Sequence, residues 1–406
     1  MVVNGYGGVD GSSISLSDNT QRATAVANTA SNALTLSATS IAADNRPAAG
    51  AAVSSIQFGQ ADVHAASAMR LVANVESLTH SNATVSGNAN QSVAVINDVD
   101  NKLAISATVA GSLTGSDAVG SVNAYGPPHA TADQSLANQQ FASGSATVDS
   151  TTLPKGVGGV HGHNASTLRV ASNLTRADAT ANQAINALTA KATSGDRSAV
   201  LTSTQMSVAT VSATSGTTIA GISNSGASKG VYDSALAIDT NTTAALARGN
   251  VADNAVSLAG ANNPGSVPIV YASRYGSHVS AQAALLNSQT NLGSVMAVAI
   301  SAPAPLNSPD GPAVLSTIAV TGNIASAAAF GNVASNAASV SALGRLPTAA
   351  VANVQSNRGA ITAQVTGASY ASQVGALTSS ALTLSGNQVV ATATGNQATN
   401  VITSIR

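Results

Sequence analysis

The residues best suited to chemistry are two histidines that flank a glycine, His161 and His163, with His129 further upstream. Two histidines at this spacing can bind zinc, but no cysteine or further acid lies near them, and the chain contains no cysteine. The surrounding glycine-rich stretch therefore favours a solvated loop over a metal site.

A second candidate is the run formed by Asn97, Asp98, Asp100 and Asn101, whose side-chain oxygens are the ligands that calcium prefers. The glycine-rich nonapeptide typical of calcium-binding β-rolls does not recur in the chain. Two of these four residues also belong to the repeat described below. We therefore expect no bound metal.

Acidic residues that could perform acid–base catalysis are few and scattered along the chain. They include Asp10, Asp62, Asp117, Asp149, Asp196, Asp233 and Asp310. Polysaccharide-cleaving β-helix enzymes need carboxylates about 5–10 Å apart, and no acidic group recurs here on one strand. Tyr271 and Tyr275, beside Arg274, could stack on a sugar, although packing within a loop is the simpler interpretation. We expect neither an enzyme nor a cofactor.

The strongest pattern is a 21-residue motif that occurs six times without gaps, starting at Ile14, Ala83, Leu168, Leu236, Ile318 and Leu382. Each copy carries asparagine 5, 14 and 18 residues after its start. The first set is Asn19, Asn88, Asn173, Asn241, Asn323 and Asn387. The second set is Asn28, Asn97, Asn182, Asn250, Asn332 and Asn396. The third set is Asn32, Asn101, Asn186, Asn254, Asn336 and Asn400.

The apolar residues of this motif alternate with a period of two, which is the period of β-strands. Looser copies continue some strict copies head to tail, so the underlying unit is about 20 residues long. A unit of this length holds two short strands and two turns, and it buries its apolar side chains only by stacking on a neighbour. The sequence therefore predicts an all-β fold, a β-solenoid of about 20 coils. The first and second asparagines either mark turns or form ladders in which each amide donates to the next. The third asparagines lie inside the alternating run, which favours a ladder.

A longer period is superimposed on the short one, because the spacings between the strict copies alternate between long and short. We interpret residues 1–13 as a lead or cap, 14–167 and 168–317 as two solenoid modules, and 318–406 as part of a third. Proline lacks the N–H that a strand donates, so proline-rich stretches predict protruding loops. They are residues 124–133, 153–164, 262–268 and 302–312.

Composition excludes several classes of protein. Aromatic residues make up 2% of the chain and charged residues 8%, against about 25% charged in a typical soluble domain. The net charge of −1 argues against a disordered chain, which usually carries a high net charge. No long apolar run predicts a membrane span, and no basic stripe predicts nucleic-acid binding. The low charge and the many Ser, Thr and Asn residues are typical of secreted bacterial surface proteins.

The runs GNVADN (249–254), GNVASN (331–336) and GNQATN (395–400) resemble the coil motif of curlin-type fibre subunits. The overall composition is similar to that of holdfast attachment proteins of stalked α-proteobacteria. This resemblance implies an extracellular, amyloid-like or β-solenoid fibre with a role in a biofilm matrix or in adhesion.

We therefore expect a structural subunit whose partner is a second copy of itself, stacked end to end, because such head-to-tail contacts do not close. The residues expected at the assembly ends are Ile14, Leu16, Leu382, Leu384 and Ile402. A surface or matrix polysaccharide is a second expected partner. The alternative is a monomeric or trimeric adhesin or tail-fibre segment that binds a surface glycan through its loops.

Overall fold

The computed structural model describes residues 2–4, 8–40, 51–74, 77–109, 129–130, 132, 134–157, 163–194, 198–223, 230–260, 269–271, 278–341, 348–370 and 372–405. The predicted loop at 262–268 lies outside these residues, as do His161, Arg274 and Tyr275. Of the predicted loop at 124–133 only residues 129–130 and 132 are described, and residues 129–130 form a strand. All regular elements in the described part of the chain are strands, so the all-β prediction is confirmed. None of these residues belongs to a helix long and apolar enough to cross a membrane.

The strands are numbered in chain order. The first fifteen are β1 (Val2–Asn4), β2 (Gly8–Asp10), β3 (Ser13–Ser17), β4 (Thr20–Ser40), β5 (Ala51–Asn74), β6 (Ser77–Thr79), β7 (Asn82–Ser86), β8 (Ala89–Val109), β9 (His129–Ala130), β10 (Gln134–Val157), β11 (His163–Asn164), β12 (Thr167–Ala171), β13 (Leu174–Ser194), β14 (Ala199–Ser207) and β15 (Thr210–Ser223). The others are β16 (Val231–Tyr232), β17 (Ala235–Asp239), β18 (Thr242–Ala259), β19 (Ile269–Tyr271), β20 (His278–Ser280), β21 (Ala283–Asn291), β22 (Val295–Val314), β23 (Thr317–Thr321), β24 (Ile324–Ser341), β25 (Ala349–Asn357), β26 (Ile361–Thr366), β27 (Gln373–Thr378), β28 (Ala381–Ser385) and β29 (Gln388–Ile405).

Three parallel sheets form the body of the molecule. The short sheet contains β3, β7, β12, β17, β23 and β28 in that order, and the long sheet contains β4, β8, β13, β18, β24 and β29. The facing sheet has 14 strands, which include β5, β10, β14, β15, β21, β22, β25, β26 and β27. A small antiparallel sheet of β9, β19 and β20 contacts β21 and β25. Each strict copy of the motif therefore contributes one strand to the short sheet and one to the long sheet.

The repeats whose strands pair with one another are longer than the 20-residue unit that the sequence indicated. Asn28 lies opposite Asn97, and the five successive offsets between paired asparagines are 69, 85, 68, 82 and 64 residues. The expected coil of about 20 residues with two short strands is therefore wrong, because 20 residues correspond to one long strand such as β4. Six layers at ~4.8 Å give a stack about 25–30 Å high rather than 20 coils.

Two corners recur in every copy of the motif. One lies between the short and long sheets, where the backbone adopts positive φ at Asp18, Gly87, Ser172, Thr240, Gly322 and Gly386. The other precedes the short sheet, with positive φ at Gly11, His80, Ala165, Asp233, Leu315 and Ser379. Residues other than glycine rarely adopt this conformation, so stacking of the layers imposes the same corner on different side chains.

The core lies between the facing sheet on one side and the long and short sheets on the other. Its central part is rich in alanine: Ala177, Ala179 and Ala181 of β13 pack with Ala213 of β15 and Val295 of β22. Small side chains are needed because two sheets whose backbones approach closely leave no room for aromatic rings. This explains the low aromatic content that the composition shows.

Two of the predicted proline-rich loops are wrong in whole or in part. Residues 302–312 lie inside β22, and the first five residues of the stretch 153–164 lie inside β10. Pro154 occupies a regular position opposite Leu71, and Pro303 lies opposite Ile219. Between Ile300 and Asn307, no described strand pairs with β22 on the side of β26 and β27. An N–H directed to that side would not bond to a strand, so proline can replace it without the loss of a ladder hydrogen bond.

Candidate assembly interface

The second asparagines form one continuous ladder through the core. Nδ2 of each donates to Oδ1 of the next at 2.7–2.8 Å, from Asn28 through to Asn396. The other Nδ2 hydrogen crosses to a backbone carbonyl of the facing sheet. Asn97 donates to Phe141 O at 2.8 Å and Asn182 to Met206 O at 2.9 Å. The ladder therefore joins the layers to one another and also joins the two sheets.

The third asparagines form a parallel ladder with the same direction, from Asn32 to Asn400, at 2.8–2.9 Å. Asn101, Asn186 and Asn254 are at most 1% exposed. Buried polar groups are stable only when they are hydrogen-bonded, and a column of amides satisfies this requirement with a single residue type.

The first asparagines combine both alternatives that the sequence left open. Each follows the positive-φ residue of a corner, and each also belongs to a ladder. Asn88 donates from both its backbone N and its Nδ2 to Oδ1 of Asn173, at 3.2 and 2.8 Å. Nδ2 of Asn88 also reaches the carbonyl of Leu16 at 3.0 Å, across the corner. These asparagines therefore stabilise the turn and the stacking together.

A glutamine ladder in the facing sheet was missed by the sequence analysis. Its members are Gln57, Gln140, Gln205, Gln289 and Gln355. Nε2 of Gln140 donates to Oε1 of Gln57 at 2.7 Å and to the carbonyl of Gln183, in the long sheet, at 2.8 Å. A fixed spacing from the neighbouring asparagines does not reveal this ladder, because the connections before it differ in length between copies.

A serine column at the other corner was also missed, although the sequence carried a signal for it. Serine lies two residues before the start of all six motif copies, at Ser12, Ser81, Ser166, Ser234, Ser316 and Ser380. The backbone N of Ser81 donates to Oγ of Ser166 at 3.2 Å. Oγ of Ser81 in turn donates to the carbonyl of Thr79 at 2.7 Å, which closes the corner.

The stack has two open edges in the described residues. The lower edge consists of β3 and β4, and the upper edge consists of β28 and β29, each strand pairing on one side only. In a parallel strand, alternate residues direct N–H and C=O to the same neighbour. About half of the backbone groups of β29 therefore have no strand to bond among the described residues.

The predicted assembly-end residues lie on these edges, with unequal exposure. At the upper edge Leu382, Leu384 and Ile402 are 39%, 50% and 54% exposed. Ile318 and Val320, the partners of Leu382 and Leu384 one layer below, are at most 1% exposed. At the lower edge Leu16 is 2% exposed and Ile14 is half-buried, so the upper edge carries most of the uncovered apolar surface.

His163 does not lie in a solvated loop, contrary to the sequence-based interpretation. It begins β11 with its side chain fully buried in the column between Leu78 and Val231. Its Nδ1 accepts the backbone N–H of Leu78 at 3.2 Å, and its Nε2 is buried without a partner among the described residues. Burial lowers the pKa of His163 to about 4.

Charged groups lie mainly on the outer faces. Burial raises the pKa of Asp98, and the nearby negative charge of Asp100 raises it further. Burial also lowers the pKa of Arg248, whose Nε donates to Thr180 Oγ1 at 3.2 Å. The described residues contain no group of three or more potential metal ligands.

Comparisons with known proteins give no relative for this chain: no protein-family model, no curated protein and no solved structure matches it.

Proposed function

We propose that this protein is the structural subunit of an extracellular bacterial filament or matrix fibre, in which copies stack end to end through their open strand edges. The observation that carries the proposal is the upper edge, where side chains that are buried in the inner layers are exposed on β28 and β29. A partner that added one more layer of the same kind would cover them.

A wide β-solenoid is the architecture that best accounts for the parallel sheets. The chain passes through the short sheet, the long sheet and the facing sheet in the same order in successive motif copies. Paired residues keep one register from layer to layer in the long sheet, from β4 to β29. Coils with a constant cross-section present equivalent edges at their two ends.

Stacking between copies would follow from these equivalent edges. Long, flat, unprotected edge strands are templates for pairing with another chain. Neither β28 nor β29 contains a charged residue or a proline, which are the usual devices that prevent such pairing. Contacts between unlike ends do not close on themselves, so they generate filaments.

An extracellular location and a role in a matrix or in adhesion are part of the proposal. They are supported by the low content of charged and aromatic residues and by the resemblance of the GN-containing runs to curlin-type coils. A matrix polysaccharide remains a proposed second partner on the same grounds.

The test is assembly of the full chain followed by light scattering and negative-stain electron microscopy. We expect unbranched filaments from the unchanged chain. Leu384→Lys places a charge at the apolar upper edge and is expected to abolish filaments without unfolding the subunit, as circular dichroism will show. Leu292→Lys is the matched control, because Leu292 is 40% exposed but lies within the stack. A chain that stays monomeric at high concentration, or an L384K variant that polymerises normally, contradicts the proposal.

A further inference from the structure

The hydrogen bonds of the asparagine and serine columns all point in one direction. In each asparagine ladder Nδ2 donates upward, toward the layer nearer β29, and Oδ1 accepts from below. The serine column has the same direction, since the backbone N of Ser12 donates to Oγ of Ser81 at 3.2 Å. Four columns therefore give the stack a donor end and an acceptor end. The glutamine ladder runs in the opposite direction, since Nε2 of Gln355 donates down to Oε1 of Gln289, but it ends on β25, one layer below β29.

The two edges carry the unpaired halves of these columns. At the upper edge, within the described residues, Asn387 and Asn396 each use one Nδ2 hydrogen on a carbonyl below, and no acceptor lies above them. At the lower edge no described donor reaches Oδ1 of Asn19, Asn28 or Asn32. The upper edge thus offers amide donors in the same three positions at which the lower edge offers amide acceptors.

The direction of each ladder is locked by bonds within the subunit. One Nδ2 hydrogen of Asn332 donates to the carbonyl of Ser356 at 2.9 Å, while the other donates along the ladder to Asn396 at 2.7 Å. Rotation of the amide by 180° would place Oδ1 against that carbonyl and would leave two acceptors facing each other. Because leaving buried polar groups unpaired is unfavourable, whole ladders do not reverse easily.

Building on the proposed filament, we infer that the junction between copies is directional and has a single register. The upper edge of one copy binds the lower edge of the next, with Asn19 above Asn387, Asn28 above Asn396 and Asn32 above Asn400. Two upper edges would oppose donors to donors, and two lower edges would oppose acceptors to acceptors. The filament is therefore polar. The three asparagine ladders run through it without interruption, whereas the glutamine ladder stops at Gln355 of each copy.

The shapes of the edges support the same arrangement. At the lower end, β1 and β2 lie one layer below β5 and β6 in the facing sheet and form a lip. At the upper end, β27 is the last described strand of its column and lies in the same layer as β28, with Leu377 47% exposed, whereas β25 and β26 lie one layer lower. In the proposed junction Val9 of the lip covers Leu377, as Val9 already covers Leu78 within one copy. In this junction the space above β25 and β26, where the facing sheet has one layer fewer than the long sheet, remains unoccupied.

Cysteine pairing tests the direction and the register, since the natural chain contains no cysteine. Ser31 and Thr399 are exposed and occupy the same column of the long sheet, so the junction places Cys at 31 of one copy next to Cys at 399 of another. Paired Cα atoms lie ~4.8 Å apart, within the range that a disulfide spans. We expect disulfide dimers on oxidation of a mixture of Ser31→Cys and Thr399→Cys chains.

Each variant alone is expected to give no dimers, because in the proposed junction an upper edge never contacts another upper edge, nor a lower edge another lower edge. Ala33→Cys is the register control, because it is displaced by two residues from Ser31; its mixture with Thr399→Cys is expected to give on the order of tenfold fewer dimers. Dimers from a single variant, equal yields for the two mixtures, or filaments that give no dimers overturn the inference and leave the proposed filament intact. Loss of filaments and of dimers together, with the unchanged chain also monomeric, overturns both.

Discussion

At the scale of single residues, the central amide of the second ladder shows what holds the layers together. Asn182 is fully buried, accepts from Asn97, and donates to Asn250 and to the carbonyl of Met206. Replacing it with an apolar side chain of similar size removes three hydrogen bonds and leaves their partners unpaired in the core. The stability of the fold should therefore be more sensitive here than at the neighbouring outer position.

We predict that Asn182→Leu lowers the free energy of unfolding by about 3 kcal/mol or more, since each unpaired buried group costs about 1–3 kcal/mol. Gln183→Ala is the control, because the Gln183 side chain lies on the outer face, and only its backbone carbonyl is used. It should change stability by less than about 0.5 kcal/mol. Urea denaturation of both variants measures the difference, and equal losses would show that the ladder contributes little.

A second residue-scale prediction concerns acid sensitivity. The pKa of His163 is about 4 in the folded chain, against about 6.5 for an unfolded histidine. The unfolded state therefore binds more protons between these values, so stability is complete above pH ~6.5 and falls as the pH drops toward 4, by about 3 kcal/mol in total.

His163→Leu should remove this part of the pH dependence, because leucine already fills the equivalent position at Leu78. Denaturation at pH 7.5, 5.5 and 4.5, values that span the window from ~6.5 to ~4, provides the measurement. His64→Gln, on the outer face, is the control. If His163→Leu keeps the full slope of stability against pH, the slope arises from other groups.

At the scale of elements, the distance between the long and facing sheets depends on the combined size of side chains that face each other across the core. A Cβ added at Gly59 of β5 would collide with Cγ2 of Ile96 in β8 and would lie 2.7 Å from Oδ1 of Asn97. The positions above and below Ile96 hold Ala181 and Ala27, so the large residue and the glycine compensate each other.

We predict that Gly59→Ala destabilises the fold by about 1–3 kcal/mol through overpacking. Adding Ile96→Ala should cost less in the Gly59→Ala chain than in the unchanged chain, with a coupling energy of about 1 kcal/mol or more. Gly216→Ala is the control, because its nearest neighbour would be Thr151 Oγ1 at 4.0 Å. Thermal or urea unfolding of the four variants checks this, and additive effects of the two substitutions would contradict it.

At the scale of the whole molecule, the proposed contact between copies is almost free of charge. On the upper side β27, β28 and β29 contain no charged residue. On the lower side the charged residues are Asp10 of β2, Asp18 at the corner after β3 and Arg22 of β4, so no ion pair joins these strands across the contact. Salt weakens interactions between exposed charges, with a Debye length of about 10 Å at 0.1 M and 3 Å at 1 M. Hydrogen bonds and apolar contacts of the kind proposed here depend much less on the salt concentration.

We therefore predict that the concentration at which filaments form changes by less than about twofold between 0.05 and 0.5 M sodium chloride, a range over which screening increases strongly. Sedimentation of assembled material at each salt concentration provides the measurement. A steep loss of assembly with increasing salt would mean that charged residues outside these edge strands carry the contact.

The sequence by itself determined the strands of the short and long sheets and the stacking of their asparagines. Alternating apolar residues specify which side faces inward, and identical amides at three fixed offsets satisfy one another only when the copies lie in register. The serine column was equally readable, since its offset from the motif is constant. Local periodicity carried all of this information.

Only the tertiary structure decided how many residues form one layer, which sheet packs against the long sheet, and what surrounds His163. Neighbouring 20-residue units look alike because one long strand keeps a period of two throughout, so similarity alone cannot tell where the chain turns back. The facing sheet is separated from the motif by connections of variable length, which hides the glutamine ladder. The burial of His163 depends on the layers above and below it, and contacts between residues so distant in the chain leave no local signal.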